Sequence, residues 1–232
     1  MRGVKNEPLD PRWPKLLSLT VHEFRTPITV VSGYLRMVLK ERAGPISDQQ
    51  RKLLEEAEKS CGRLSGLVAE LSDLAGLEAG TAAINRGTVD VVALLRERAA
   101  ALPEMPDRSV ATVVEAGSEP VKVSADATRL GNAFAWLLTG LRREVIKTDR
   151  LVARVGTRDE SATIAIADGE LVDAVAGADA STLERFDEWR GGSGLSLAVA
   201  RRVIGQHGGT LLGPPGEGKA GALVMLPLTA EG

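Results

Sequence analysis

The first 80 residues place hydrophobic side chains at the spacing of helices that pack side by side. In the first stretch the apolar positions follow a 4-3-4-3-4-3 spacing, which is the seam of a coiled coil or helical bundle. These positions are Leu17, Val21, Phe24, Ile28, Val31, Leu35 and Val38. We therefore predict one long helix over residues 12–42. After the interrupting "AGPIS", Ser47 and Gln50 have the spacing of a capping box, which predicts a second helix running to about Gly80.

The second predicted helix carries a hydrophobic stripe that is too broad for one neighbour. Its apolar members are Leu53, Ala57, Leu64, Leu67, Val68, Leu71 and Leu74. One hairpin leaves part of both stripes uncovered, whereas two hairpins from two chains bury them together as a four-helix bundle. We therefore expect a homodimer built on residues 12–80. A hairpin folded back on the rest of its own chain is an alternative that the pattern leaves open.

Beyond Gly80 the pattern changes to short alternating or apolar runs separated by helical stretches. The runs include "SVATVVEA", "RLVARVG", "SATIAIAD" and "GALVMLPL", which are typical of strands. Helices are predicted at residues 89–102, 126–146 and 193–207. The fold class is therefore α+β. The boundaries that we predict are 1–11 for an N-terminal extension, 12–80 for the helical hairpin and 81–232 for an α+β domain.

Composition and charge exclude several classes of function. With 29 Lys and Arg against 31 Asp and Glu, the net charge of -2 gives no reason to expect binding to nucleic acid or to an anionic membrane. Cys61 is the only cysteine, so neither an internal disulfide nor a cysteine-based metal site is expected. No apolar run approaches the roughly 18 residues that a membrane-spanning helix needs. We expect a cytoplasmic protein with no metal site of its own.

The stretch "TVHEFRTPITV" gives the first helix a reactive side chain next to its hydrophobic seam. His22 follows the seam position Val21, so its ring is expected at the flank of the bundle, partly in water. A neutral imidazole is a nucleophile near physiological pH, and Glu23 can orient it and accept its proton. Pro27 lacks the amide hydrogen that would bond the carbonyl of Glu23, which predicts a helix bend one turn beyond the histidine. A lone histidine on a helix is more often structural. The hypothesis that His22 is a nucleophile therefore rests on the whole ordered set His-Glu-Phe-Arg-Thr-Pro.

The longer stretch "SLTVHEFRTPITVVSGYLRMV" resembles the phosphoacceptor helix of two-component sensor histidine kinases, whose pattern is His-Glu-Leu-Arg-Thr-Pro-Leu. Phe24 and Ile28 are the departures from that pattern, and both are conservative. By this resemblance His22 is the phosphorylated residue, Glu23 is its acid–base partner, and Thr26 orients a water that dephosphorylates a bound response regulator. The resemblance covers most of the chain and implies an ATP-binding α/β sandwich of the type shared with Hsp90 and DNA gyrase.

The last motif of the family's nucleotide site is well matched. The stretch "GGSGLSLAVARRVIGQHGGTL" resembles the second glycine box, with Gly192, Gly194 and Leu195 in place and Ser196 where a glycine is usual. The resemblance implies that Gly192, Gly194 and Leu195 bind the nucleotide. Glycines that open a helix present backbone N–H groups to a phosphate, which gives the motif its physical basis. His207, further along, is expected to end a helix rather than to do chemistry.

Another motif, the asparagine box, lacks the residues that the resemblance requires. In the helix "DATRLGNAFAWLLTGLRREV", Trp136 and Gly140 stand at the family's two asparagine positions, and Arg143 replaces a lysine. The family asparagine supplies an oxygen to Mg²⁺, which neither an indole nor a glycine side chain can do. We expect Trp136 to lie in the core.

The first glycine box keeps the spacing of the family motif, but two of its residues are substituted. Asp168 is kept, and by the resemblance it receives the adenine amino group. Glu170 and Val172 replace the two glycines of the box, and a carboxylate there would repel polyphosphate. The segment between Phe186 and Gly192 is also shorter than the lid that closes over ATP in the family.

These observations favour a cytosolic phosphotransfer protein derived from a histidine kinase, in which ordinary ATP-dependent autophosphorylation is not expected. His22 would exchange a phosphoryl group with the aspartate of a response regulator, whose receiver domain supplies its own Mg²⁺. One alternative is an active histidine kinase with an atypical ATP site, in which Glu170 or Glu144 binds the metal. Another is a non-catalytic dimer that regulates a response regulator or a kinase. The sequence also fits the cytoplasmic portion of a larger kinase.

Overall fold

The computed structural model describes residues 13–80, 83–105, 107–145, 147–188, 195–216 and 220–229 of the chain. The chain forms two compact units, residues 1–82 and residues 83–232. The first is a helical hairpin and the second is an α/β sandwich, so the predicted fold class is confirmed. Within the described ranges, none of the helices combines the length and the apolar character needed to cross a membrane.

The hairpin consists of α1, Trp13–Leu39, and α2, Asp48–Glu78. Its buried side chains include Leu17, Val21, Cys61 and Val68. Eleven large apolar side chains of the two helices are at least 45% exposed: Trp13, Leu16, Leu19, Phe24, Val30, Val31, Tyr34, Met37, Leu53, Leu64 and Leu67. One hairpin therefore covers only part of its hydrophobic surface.

The predicted capping box opens α2. The Ser47 hydroxyl accepts the Gln50 amide at 3.2 Å, and the Gln50 side chain accepts the Ser47 amide at 2.8 Å. Arg51 donates to the carbonyl of Leu39 at 3.1 Å, at the end of α1, and pairs with Glu41 at 2.5 Å. The same turn therefore starts α2 and satisfies a carbonyl that the end of α1 leaves free.

A mixed sheet of five strands forms the centre of the second unit within its described residues. The strands are β2, Ala111–Glu115; β4, Arg150–Arg158; β5, Ser161–Asp168; β6, Thr210–Leu212; and β7, Ala222–Pro227. Their order is β2-β4-β5-β7-β6, with β2 and β4 parallel and the other pairs antiparallel. A separate antiparallel pair joins β1, Gly87–Asp90, to β3, Lys122–Ala125.

The helices of this unit pack on the sheet. They are α3, Val91–Ala100; α4, Ala127–Arg142; α5, Val172–Ala176; and α6, Ser196–Gln206, with a 3-10 turn at Ala180–Thr182. Helix α4 contacts α3, α6 and the strands β4 and β5. Val172 and Val175 of α5 pack with Ala165 and Ala167 of β5. The three helices predicted beyond Gly80 correspond to α3, α4 and α6. The predicted start of the last one, residue 193, lies outside the described residues.

His207 links two of these helices. It caps the C-terminus of α6, as expected, and is 4% exposed. Its Nδ1 lies 2.7 Å from the carbonyl oxygen of Val203, and its Nε2 accepts the amide of Asp126 at 3.0 Å. These partners define a neutral ring with its hydrogen on Nδ1. Asp126 in turn caps α4 by accepting the amide of Arg129 at 3.0 Å, so the imidazole joins the end of α6 to the start of α4.

Removing the Ser47 hydroxyl should destabilise the hairpin. We expect Ser47→Ala to lower the free energy of unfolding by about 1 kcal/mol, because the Gln50 amide loses its acceptor at the helix N-terminus. Chemical denaturation followed by circular dichroism measures the change. Gln49→Ala, in the same exposed turn but outside the capping box, is the control and should have little effect. Equal losses in the two variants would show that the capping box does not stabilise α2.

Candidate functional site

His22 lies on the exposed side of α1, directly after a buried position. Val21 is 2% exposed, whereas the side chains of His22, Glu23 and Thr26 are all exposed. Within the described residues, neither the imidazole of His22 nor the carboxylate of Glu23 has a hydrogen-bond partner. The imidazole is therefore open to solvent.

Pro27 lies inside α1, and the helix continues on both sides of it. Because proline has no amide hydrogen, the carbonyl of Glu23 lacks its helical partner. The hydroxyl of Thr26 donates to the carbonyl of His22 at 3.5 Å, and Thr29 donates to the carbonyl four residues before it at 2.8 Å. Hydroxyl-to-carbonyl bonds of this kind often bend helices. They agree with the bend at Pro27, which stays a prediction.

The carboxylate of Asp168 lies at the end of β5 and is surrounded by donors. The residue is 2% exposed. Its Oδ1 accepts the Thr148 hydroxyl at 3.0 Å and the Glu170 amide at 3.1 Å. Its Oδ2 accepts the amides of Lys147 at 3.0 Å and Thr148 at 3.1 Å. Burial raises the pKa of this carboxyl, but the hydrogen bonds from Glu170, Thr148 and Lys147 together outweigh it and hold the pKa below its usual range.

These four donors fill the acceptor positions of Asp168. An ionised carboxylate offers about four lone-pair sites, and each oxygen already accepts two hydrogen bonds from its own chain. An adenine amino group that used Asp168 as its acceptor would have to displace the segment Lys147–Thr148. The contact with adenine that the resemblance implies for Asp168 and its observed contacts therefore compete for the same oxygen atoms.

The two residues that replace glycines in the first box have different surroundings. Glu170 is exposed, and its carboxylate lies 3.9 Å from the ammonium of Lys147. Val172 is 2% exposed and begins α5, where it packs into the core of the sheet. Val172 therefore contributes to folding, whereas Glu170 places a second negative charge near Asp168.

The asparagine-box positions lie on α4 and offer no oxygen ligand from their side chains. Gly140 is buried, and Trp136 is half-buried, so the indole reaches the core only in part. In the part of the chain that the structure describes, no cluster of three or more His, Cys, Asp or Glu side chains could hold a metal ion.

Only the last member of the second glycine box can be placed. Leu195 is half-buried and precedes α6 without a side-chain capping bond. Gly192 and Gly194 lie outside the described residues, as does the predicted short connection from residue 189 onwards.

The sequence did not point to Lys147 and Thr148 as partners of Asp168. Three of the four donors are backbone amides, and their direction depends on the path of the chain rather than on side-chain identity. The available signal was Thr148, a hydroxyl residue shortly before a strand.

Comparison with known proteins finds a family match for the hairpin and similar proteins for most of the chain. Residues 15–80 match the His Kinase A (phospho-acceptor) domain. The probable sensor histidine kinase TcrY of Mycobacterium tuberculosis is 27% identical over 216 residues, which cover 89% of this chain and 44% of TcrY. The structure of full-length ShkA in complex with AMPPNP has 24% identity and a TM-score of 0.69, covering 94% of this chain and 46% of ShkA. Histidine kinase ThkA in complex with response regulator TrrA has 16% identity and a TM-score of 0.51, covering 93% of this chain and 61% of that chain.

Residues 15–80 are therefore a His Kinase A phosphoacceptor domain, and the second unit has the fold of histidine kinase catalytic domains. In the order of its two units the chain is similar to the sensor histidine kinases among these proteins. The chain spans less than half the length of TcrY and of ShkA.

Replacing Asp168 by its amide should destabilise the second unit. We expect Asp168→Asn to lower the free energy of unfolding by roughly 1–3 kcal/mol, because the amide nitrogen cannot accept the buried N–H groups that the carboxylate oxygen accepts. Urea denaturation at neutral pH measures the loss. Asp149→Asn removes an exposed carboxylate that makes no side-chain hydrogen bond in the described structure, and it should leave the stability unchanged.

The same carboxyl predicts a dependence on pH. The pKa of Asp168 is lower in the folded chain than in the unfolded chain, so the ionised group stabilises the fold above the unfolded pKa of about 3.9. This contribution is lost as the pH falls through the folded pKa. The stability difference between the native protein and Asp168→Asn should therefore be constant near neutral pH and shrink below about pH 4. A difference that persisted unchanged into strong acid would contradict the hydrogen bonds assigned to Asp168.

Proposed function

We propose that this chain is a two-component signalling protein in which His22 exchanges a phosphoryl group with the aspartate of a response regulator. The observation that carries the proposal is the open imidazole of His22, beside Glu23 and Thr26, on the helix of a phosphoacceptor domain. The filled acceptor positions of Asp168 support a further step of the proposal, which is that ordinary ATP-dependent autophosphorylation does not supply the phosphoryl group.

The proposed transfer uses His22 as a nucleophile. One imidazole nitrogen attacks the phosphorus of the aspartyl phosphate; the P–N bond forms as the bond from phosphorus to the aspartate oxygen breaks, and the aspartate leaves as a carboxylate. The hydrogen on the other ring nitrogen passes to Glu23, which keeps the phosphorylated ring neutral. The receiver domain would supply Mg²⁺ to neutralise charge on the phosphoryl oxygens.

Thr26 is proposed to orient a water for a second reaction, the hydrolysis of the phosphate on the bound regulator. It follows His22 by four residues, so both side chains lie on the same face of α1 and would meet the same docked partner. Its hydroxyl is only loosely held, since the bond to the carbonyl of His22 is 3.5 Å long. That hydroxyl can exchange this weak bond for one to a water molecule.

The exposed apolar surface of the hairpin supports a homodimer. Phe24 and Val31 occupy seam positions, yet they are 52% and 48% exposed in the single chain. A second hairpin packed on this surface would complete a four-helix bundle. For the second partner, the similar kinase ThkA is bound to a response regulator, which supports a receiver domain as the protein that docks at His22.

An active histidine kinase is the second candidate function. The observation that favours it is the likeness of fold to ShkA, whose structure contains AMPPNP. In this case the segment Lys147–Thr148 would move away from Asp168 to admit adenine. Glu170 is exposed and 3.9 Å from a single ammonium, so its carboxylate could turn to bind the metal that the asparagine-box positions cannot.

Substitution of His22 tests the transfer. We expect a receiver domain labelled on its aspartate to pass the label to the native protein but not to His22→Gln, because an amide is not a nucleophile of this kind. Glu23→Gln should keep the acceptor and slow the transfer roughly 100-fold, the usual effect of losing a general base. Lys15→Gln, exposed on the same helix, is the control and should react as the native protein does. Transfer to His22→Gln at the native rate would refute the proposal.

Nucleotide binding separates the two candidate functions. We expect Mg-ATP neither to raise the Tm nor to leave an acid-labile label, because Asp168 has no free acceptor position and α4 presents no oxygen ligand at its asparagine positions. A ligand that binds only the native state must raise the Tm. A saturable rise, together with label on the native protein and none on His22→Gln, would instead establish an active kinase.

A further inference from the structure

The segment of residues 83–86 is held on the second unit mainly by polar contacts. Ala83 is the first residue of that unit. Ile84 is half-buried, and the other three side chains of the segment are exposed. Apolar burial begins further along, with Val89 and Val91. The segment therefore has little apolar surface to keep it in place, and a stretch of this kind opens more easily than the core of a domain.

Two residues at the start of α4 hold the first part of the segment. The buried carboxylate of Asp126 accepts the amide of Asn85 at 3.0 Å. Arg129, whose Nε lies 3.9 Å from the same carboxylate oxygen, donates to the carbonyl of Ala83 at 3.2 Å. Burial raises the pKa of Asp126, but the amides of Arg129 and Asn85 and the charge of Arg129 together hold it below its usual range. The acceptor of the Asn85 amide is therefore an ionised oxygen, which makes the stronger kind of hydrogen bond.

Arg86 holds the other end of the segment. Its Nη2 donates to the carbonyl of Gln206 at 2.6 Å, and its Nη1 donates to that of Ser124 at 3.4 Å. Gln206 is the last residue of α6, where carbonyls have no helical N–H partner, and Ser124 belongs to β3. One exposed side chain thus ties the segment to a helix end and to a strand.

The surface that receives the segment is fixed without it. His207, which follows Gln206, accepts the amide of Asp126 at 3.0 Å and so joins the end of α6 to the start of α4. Asp126 also caps α4 through the amide of Arg129, using its other carboxylate oxygen. The carboxylate and the carbonyls that hold residues 83–86 therefore stay in place when the segment leaves, so it can leave and return without repacking of the core.

We propose that residues 83–86 are a releasable latch that sets the length of the free connection between the hairpin and the second unit. With the latch closed, residues 79–82 separate the end of α2 from the first docked residue. Release adds four residues, which span roughly 13 Å when extended. A longer connection enlarges the range of positions that the two units can sample about each other. The latch does not depend on the transfer proposed for His22.

Hydrogen exchange of the Asn85 amide, measured by NMR on the full chain, reports opening of the latch. We expect this amide to be protected in the native protein but to exchange faster than that of Ile164, whose strand β5 lies between β4 and β7. Low concentrations of guanidinium chloride should speed exchange at Ile164 and leave Asn85 nearly unchanged, because release of four mostly exposed residues uncovers little surface.

Loss of two arginines should favour the open latch. We expect Arg86→Met/Arg129→Met to speed exchange at Asn85 roughly tenfold or more, because two charged donors are lost. Arg96→Met, at an exposed arginine of α3 without an ion pair in the described residues, is the matched control and should exchange at the native rate. Three results would overturn the proposal: an unprotected Asn85 amide in the native protein, exchange that follows Ile164 at every denaturant concentration, or an unchanged rate in the double variant.

The tumbling of the two units tests the consequence of release. Adding Asn85→Pro to the double variant Arg86→Met/Arg129→Met also removes the amide that Asp126 accepts, so the segment keeps none of these contacts. Nitrogen-15 relaxation should then give a shorter rotational correlation time for the second unit than in the native protein, with no change in Arg96→Met. A triple variant whose second unit tumbles as in the native protein would show that these contacts do not set the length of the connection, and the proposal would fail.

Discussion

The second unit depends on the burial of α4, which is packed by helices and sheet on most of its circumference. Its buried side chains include Leu130, Phe134, Leu137, Leu138 and Leu141. Each such side chain stabilises the fold by roughly 1.5–3 kcal/mol when fully buried, and α3, α6 and the sheet all rest on this helix. Packing is close enough that a Cβ on Gly131 would lie 2.7 Å from the guanidinium of Arg98. A helix held by apolar packing in this way needs no bound nucleotide to keep its place. The sandwich fold can therefore be stable without nucleotide binding.

The hairpin is under the opposite constraint, because His22, the side chain proposed to react, has to stay in water beside an apolar seam. Val21 is buried, and the next residue, His22, is exposed, so a rotation of about 100° around α1 separates packing from chemistry. The exposed side chains of His22, Glu23 and Thr26 therefore impose no cost on the hairpin core. In the second unit, by contrast, Val172 and Gly140 are buried at positions where the resemblance places a glycine and an asparagine of the nucleotide site.

Features that repeat or that depend on side-chain identity could be predicted from the sequence. The heptad spacing predicted the first helix of the hairpin, and the pair Ser47 and Gln50 predicted the start of α2. Contacts made by the backbone could not be predicted in this way. Three donors to Asp168 are amides, and the partners of Arg108 are carbonyls more than 30 residues away in the chain, so no pattern of side chains encodes either set. The half-buried position of Trp136 depends on how α3 and α6 flank α4, which residue type alone does not determine.

The chain holds two histidines, but their rings differ in what they can meet. Both ring nitrogens of His207 are engaged by backbone groups of α6 and α4, inside the core. A phosphoryl group or another electrophile would have to break one of those bonds and enter a packed interior before it could react there. His22 has no such protection. A reagent that modifies histidine should therefore react with His22 alone on the folded protein. Complete reaction then adds one group per chain.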